Sequence, residues 1–324
     1  MKETLNWGVL GYAGIARKHV IPALKNTEEA KLYAIASRSQ AKLDEAVRTF
    51  GFEKTYTSYD ELLDDPDVDA VYIPLPNQLH KEWVIKAANK KKHILCEKPL
   101  SMTAADCEEM AKAAKDNDVF LMEAFMYRFT NRIAKLNEIL ASGKIGEIRA
   151  IKSSHRFFMA DMDNPNEIRM NRELEGGALH DVGCYPLNII QMITGEDPVN
   201  IKALKNSYRG VDTSLSAVLK YPSGIIATLD CGFDSQSCLL TEISGTKGSI
   251  LMRDSFLSTD APILTVMDSC GPVERYGIPA SERYEDEIRA VSRAILEGKK
   301  ELLPLEETAR NNQLIAEILK IAEE

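Results

Sequence analysis

From Trp7 to Met122 the chain alternates short apolar runs with longer amphipathic stretches, and this alternation restricts the fold more than any other feature. The apolar runs lie at Trp7–Leu10, Leu32–Ala36, Ala70–Ile73, His93–Cys96 and Val119–Met122. Between them stand segments of helical period, Ile15–Lys25, Ala41–Phe50, Lys81–Lys90 and Ala104–Asn117. A strand that is followed by a helix can rejoin its sheet only through a crossover, so the pattern predicts βαβ units and a doubly wound parallel α/β sheet. Ser101 and Thr103 offer capping hydroxyls just ahead of the last of these helices.

After Gly146 the texture changes to β-branched and aromatic runs, Ile148–Phe157, Ile201–Lys205, Leu215–Tyr221, Ile225–Cys231 and Leu239–Ser244. Turn signals such as Tyr221-Pro222-Ser223-Gly224 separate them and predict antiparallel pairing in an open sheet with few helices. Two helices close the chain, at Glu282–Leu296 and Glu306–Ala322. A chain of 324 residues exceeds what one core supports. The expected division is a dinucleotide-binding Rossmann domain over 1–124 and an α+β substrate-binding and oligomerisation domain over 125–324.

Composition removes several classes of function. With 44% hydrophobic and 27% charged residues and a net charge of −9, the chain reads as a globular protein without a nucleic-acid surface. The basic triplet Lys90-Lys91-Lys92 lacks interleaved aromatics and reads as the solvated end of a helix. No apolar run is long enough to span a bilayer, and the amino terminus leads straight into a strand without an apolar leader, so the expected location is the cytoplasm. Cys96, Cys107, Cys184, Cys231, Cys238 and Cys270 show no metal-ligand spacing and are expected to be reduced thiols, with no metal bound.

Gly11, Tyr12, Ala13, Gly14, Ile15 and Ala16 stand where the first strand turns into the first helix, the place of a dinucleotide fingerprint. Aligned to G-x-G-x-x-G/A, the key positions are Gly11, Ala13 and Ala16, with alanine in place of the second glycine. A pyrophosphate would rest on the open amides of the helix terminus. At the end of the second strand an NAD site carries an acid for the ribose 2′-hydroxyl. Here the residues are Ser37 and Arg38, a hydroxyl and a permanently charged planar fork suited to a 2′-phosphate, so NADP is expected ahead of NAD.

Three further segments complete a pattern: Tyr72-Ile73-Pro74-Leu75-Pro76-Asn77, then Glu97-Lys98-Pro99-Leu100, then Gly176-Gly177-Ala178-Leu179-His180-Asp181-Val182-Gly183-Cys184-Tyr185. In order and spacing the chain resembles the glucose–fructose oxidoreductase / inositol dehydrogenase family over essentially its whole length. Tyr185 stands four residues after Asp181, where inositol dehydrogenase-like members carry histidine. That is similar to the branch of dihydrodiol dehydrogenases, NADP-dependent xylose dehydrogenases and glucose–fructose oxidoreductase, as is the junction segment Glu123–Phe129. The resemblance implies bound NADP, an open-faced sheet domain, hydride chemistry on a small polyhydroxylated molecule, and cofactor contacts that include Pro74, Asn77, Glu97 and Lys98. It also admits two other readings, a glycosidase that retains its nucleotide and a non-catalytic NADP-binding regulator.

Hydride transfer needs a group that exchanges the hydroxyl proton as the carbonyl forms or disappears. Lys98, at a strand end, has an ammonium able to stabilise a developing alkoxide. Asp181 and Tyr185 leave one face if the residues from Leu179 onward are helical, so the phenol can serve as acid/base beside a cation while Asp181 orients a substrate hydroxyl or Lys98. The same pair also fits a helix-capping acid and a half-buried core ring. His180, offset on the helix, is a candidate substrate contact or a satisfied structural group, and His80 reads as structural. Asn77 fits a helix cap or a position near the nicotinamide ribose. Arg128, Phe157, Arg169 and Asn171 come from segments expected to flank the cleft. The open sheet, with two faces and few helices, predicts a homodimer or homotetramer.

Overall fold

The computed structural model describes residues 2–165, 167–257 and 263–323. The chain divides into two compact units, Met1–Met126 with Glu282–Asn312 and Tyr127–Ser281 with Gln313–Glu324.

The first unit holds β1 (Leu5–Leu10), β2 (Ala30–Ala36), β3 (Lys54–Tyr56), β4 (Ala70–Ile73), β5 (His93–Glu97) and β6 (Leu121–Ala124). These pair in the order β3-β2-β1-β4-β5-β6, every pair parallel. Helices α1 (Ile21–Asn26), α2 (Gln40–Phe50), α3 (Tyr59–Asp64), α4 (His80–Asn89) and α5 (Ala104–Asp116) are the crossovers. The doubly wound sheet is therefore as expected, and its direction reverses between β1 and β4, where such folds open a crevice. Thr103 caps α5 by accepting the Asp106 amide, whereas Ser101 donates to the Thr103 carbonyl. The last strand begins at Leu121, two residues beyond the apolar run's start, and it buries Glu123.

The core joins Leu10, Ala34, Val71, Ile94 and Leu121 from the strands to Val84, Ala87 and Met110 from the helices. Each large apolar side chain so buried contributes roughly 1.5–3 kcal/mol. Trp7 is fully buried and donates its indole N–H to Ser292 Oγ at 3.2 Å. A buried indole needs an acceptor, and its supplier lies in Glu282–Asn312, which groups with this unit rather than with the rest of 125–324.

The second unit begins with α6 (Asn131–Ala141), β7 (Ile148–Phe158), α7 (Cys184–Thr194), β8 (Asn200–Tyr208), β9 (Val211–Lys220) and β10 (Ile226–Gly232). It continues through β11 (Asp234–Gly245), β12 (Ser249–Arg253), β13 (Ile263–Asp268) and β14 (Gly271–Gly277). The eight strands run β14-β13-β12-β11-β7-β10-β9-β8. The sheet is antiparallel except for β7 and β10, which pair in parallel because the intervening chain returns through α7. One face buries Ile151, Ser153, Ala217, Leu229 and Ile243. The opposite face exposes Leu204 at 82% and Phe158 at 65%, with Val218 and Ile226 beside them in the strand alternation. Two helices follow the sheet, α8 (Arg283–Leu296) and α9 (Leu305–Ile321).

Two helical segments open with a wide turn carrying i→i+5 hydrogen bonds, Ala16–Val20 before α1 and Leu179–Gly183 before α7. In each case a proline, Pro22 or Pro186, follows within a few residues. A proline removes one rung of the helix ladder and its ring presses on the preceding turn, which a widened turn relieves.

Candidate active site

The first unit's crevice is a cavity of about 280 Å³ lined by Gly11–Ala13 after β1, Ser37–Ser39 after β2, Lys42 and Tyr59, and Pro74–Pro76 after β4. Gly11 has φ +110°, and a Cβ there would stand 3.1 Å from Leu75 Cδ2, so this position needs glycine. Gly14 meets no such crowding. Tyr12 is buried, its hydroxyl 3.3 Å from Glu45 and its ring beneath Arg17. Ile15 is half-buried and Ala16 fully buried where the wide turn starts.

Ser37 is buried and its Oγ accepts the Ser39 amide at 3.3 Å, which leaves the hydroxyl hydrogen to donate elsewhere. Arg38 is exposed, and Tyr59 faces it. Burial pushes the Tyr59 phenol up while Arg38 opposes the shift, and the ring meets Trp83 edge-on at 4.9 Å. Ser39, at the start of α2, makes no side-chain cap bond. Asn77 is half-buried; its carbonyl, not its side chain, receives the His80 amide.

Lys98 directly follows β5 and its last residue Glu97, which accepts the Lys98 amide on Oε2 at 3.3 Å and the Tyr72 hydroxyl on Oε1 at 2.5 Å. Burial and then Glu97 hold the Tyr72 phenol well above its ordinary value. Glu287 of α8 is also buried, and burial together with Glu97 favours its protonated form.

In the second unit Tyr185 opens α7, 7% exposed, with its ring centroid 5.3 Å from His155, 5.5 Å from Phe256 and 6.1 Å from Tyr127. The hydroxyl of Tyr127 and Nη1 of Arg128 both donate to Asn188 Oδ1, three residues along α7 from Tyr185. Asp181 lies in the wide turn, its Oδ2 3.9 Å from Arg169 Nη1. Arg169 in turn forks onto Glu167 at 2.7 and 2.6 Å and covers the Phe157 ring at 5.3 Å.

The structure thus brings Asp181, Arg169 and Phe157 together, and ties Arg128 to the helix of Tyr185. His180 is half-buried, with no hydrogen-bond partner for Nδ1 among the described residues. Burial pushes its imidazolium down and the nearby Asp212 carboxylate opposes this. Asp212, itself buried, accepts the Leu179 amide at 2.7 Å and so anchors the wide turn.

Sequence reasoning missed Lys42 and Tyr59 in the crevice and His155 and Glu167 in the second unit. His155 was within reach, since strand alternation puts it on the face of Phe157. Among the described residues no cluster of His, Cys, Asp or Glu could hold a metal ion, and no helix is long and apolar enough to cross a membrane.

Residues 5–125 match the oxidoreductase family with an NAD-binding Rossmann fold, and residues 133–251 match the GFO/IDH/MocA C-terminal domain. The chain belongs to the GFO/IDH/MocA oxidoreductase family. Among its GFO/IDH/MocA relatives is D-xylose 1-dehydrogenase (NADP(+)) 2 of Haloferax volcanii, 36% identical over 98% of this chain and 97% of that protein. Trans-1,2-dihydrobenzene-1,2-diol dehydrogenase of Mus musculus is 31% identical over 98% and 96%. A 3-ketoreductase from Actinomadura kijaniata, solved in complex with NADP and TDP-benzene, superposes with a TM-score of 0.91 at 30% identity, covering 98% of this chain and 97% of that one.

Proposed function

We propose that this chain is an NADP-dependent dehydrogenase or ketoreductase that moves a hydride between the nicotinamide and a carbinol or carbonyl carbon of a sugar, polyol or dihydrodiol. One observation carries the cofactor assignment. The crevice edge where an acid would bind a free ribose hydroxyl instead gathers the Ser37 hydroxyl, the Arg38 guanidinium and the Lys42 ammonium. That donor set fits a 2′-phosphate, and each charge-assisted contact contributes ~1.5–3 kcal/mol. Gly11 to Ala16 would take the pyrophosphate on their amides, with Pro74, Asn77 and Glu97 toward the nicotinamide end. The cofactor, when bound, supplies or accepts the hydride.

The chain's own residues handle the proton and the oxygen. Lys98 donates to the reacting oxygen and stabilises charge as it develops. Tyr185 exchanges the hydroxyl proton as acid/base, and Asp181 orients a substrate hydroxyl. Arg128, Phe157, Arg169 and His180 are the substrate-side contacts in this reading; guanidinium and imidazole groups suit hydroxyl-rich ligands. The substrate class is supported by the relatives, which act on D-xylose and on a dihydrobenzene diol by name. The protein works in the cytoplasm as a homodimer or homotetramer, joined through the open face of the eight-stranded sheet.

Fluorescence titration with NADPH and NADH, followed by turnover of NADP with D-xylose, other pentoses and hexoses, cyclic polyols and dihydrodiols, tests the reading. Tighter NADPH binding and turnover of one of these classes are expected. Equal affinity for the two cofactors would remove the basis for the 2′-phosphate site.

A further inference from the structure

One peptide unit just beyond Lys98 is gripped at both ends by buried ionisable side chains. The Pro99 carbonyl lies 2.9 Å from Nδ1 of His80, and the Leu100 amide of the same peptide donates to Oε1 of Glu123 at 2.8 Å. His80, at the start of α4, is 0% exposed, and Glu123, in β6, is 1% exposed. The other imidazole nitrogen, Nε2, stands 2.8 Å from the carbonyl of Leu75, a residue that lines the nucleotide crevice. Burying two ionisable groups is unfavourable compared with pairing a peptide to backbone or water, so this arrangement needs a reason beyond satisfying hydrogen bonds.

We propose that His80 and Glu123 are positioning residues for Lys98, clamping the Pro99–Leu100 peptide from its two ends, with Glu123 loosening its end when it takes up a proton. The proposal rests on the reading of Lys98 as the group that meets the reacting oxygen. Burial pushes Glu123 up to about 7, while the Leu100 amide, Thr308 and Lys98 pull it down and Glu97 pushes it up. The ionisable groups that face it are Glu97, Lys98 and Cys96 from the β5 side and Cys107 from α5; Thr308 is its neighbour from α9. Above that pH the charged carboxylate is the stronger acceptor and the clamp is tight. Below it the neutral acid holds the amide less firmly. Burial pushes the His80 imidazolium down, against the opposing pull of the Pro99 and Leu75 carbonyls. The neutral ring has a single N–H for its two flanking carbonyls.

The test uses the full chain without substrate. Hydrogen exchange at the Leu100 amide is measured together with the pH profile of Lys98 reductive methylation, read by mass spectrometry. Wild type should show a protected Leu100 amide and a Lys98 profile with an inflection near pH 7. Glu123→Met and His80→Gln should each speed Leu100 exchange by about tenfold or more. Glu123→Gln, which keeps an acceptor oxygen, should restore most of the protection while abolishing the inflection, a separation that a purely structural role would not produce. Leu100 protection equal to wild type in both Glu123→Met and His80→Gln, or an inflection that survives in Glu123→Gln, overturns the clamp. If Glu123→Met fails to fold, the Glu123→Gln profile and His80→Gln exchange still decide. Turnover of Lys98→Met tests the underlying reading separately, since neither readout above requires Lys98 to be catalytic.

Discussion

Tyr185 differs from phenylalanine by one oxygen, and in the proposed chemistry that oxygen moves the proton. Tyr185→Phe keeps the ring among His155, Phe256 and Tyr127. Turnover should therefore fall ~10²–10⁴-fold with NADP affinity nearly unchanged. Lys98→Met should be at least as damaging, and the double variant should lose much less than the product of the two, because groups sharing one step are not additive. Near-normal turnover in Tyr185→Phe would make the tyrosine a packing residue. Arg38→Ala should weaken NADP by roughly ten- to a hundredfold and leave NAD binding alone, as titration of both cofactors would show. Glu123 gives a stability prediction. Its folded value of about 7 lies above the ordinary 4.5, so its contribution is full below 4.5 and is lost as pH rises through about 7. Glu123→Gln should thus gain on wild type between pH 5 and pH 8, approaching about 3 kcal/mol in urea denaturation. An offset that is the same at both pH values would contradict this. The place of Ser37 and Arg38 was legible in the sequence because it follows directly from the end of a strand. Lys42 and Glu123 were not, because an exposed helix lysine and an acid at a strand end look ordinary until their neighbours are known.

The elements owe their detail to punctuation. Regular α-helix was the expectation from Leu179 through Tyr185, but Pro186 is accompanied by a wide turn over Leu179–Gly183 that sets Asp181 on a different pitch from Tyr185. Asp212 fixes this turn by accepting the Leu179 amide, and the chain approaches it through Gly177 at φ +120°. A Cβ at Gly177 would lie 2.1 Å from Asp212 Oδ1. Gly177→Ala should therefore strain the backbone and displace the carboxylate, with a loss of roughly 2–5 kcal/mol when the two effects combine. A urea midpoint within error of wild type would show that the approach has slack. The strands were readable from their apolar runs, whereas β3 and β12 to β14 were not. β3 is three residues long, and β14 is almost wholly exposed, so neither writes a hydrophobic pattern into the chain.

At the scale of the molecule, the open face of the eight-stranded sheet carries the prediction of assembly. Leu204, Phe158, Val218 and Ile226 are exposed on it, around Arg156, which is paired with Asp230 and Asp234. Placing charge there by Leu204→Glu with Phe158→Lys should shift the wild-type oligomer to monomers in light scattering at micromolar concentration; a monomeric wild type would remove the idea altogether. The sequence by itself determined the parallel sheet and the place of Ser37 and Arg38 at the end of its second strand, because period and turn chemistry act over a few neighbouring residues. Only the tertiary structure decided the parallel pairing of β7 with β10, the return of Glu282–Asn312 to Trp7, the gathering of Asp181, Arg169 and Phe157, and the grip of His80 and Glu123 on one peptide. Each of those joins residues far apart in the chain, where burial and pairing are properties of the packed whole and leave no local pattern to read.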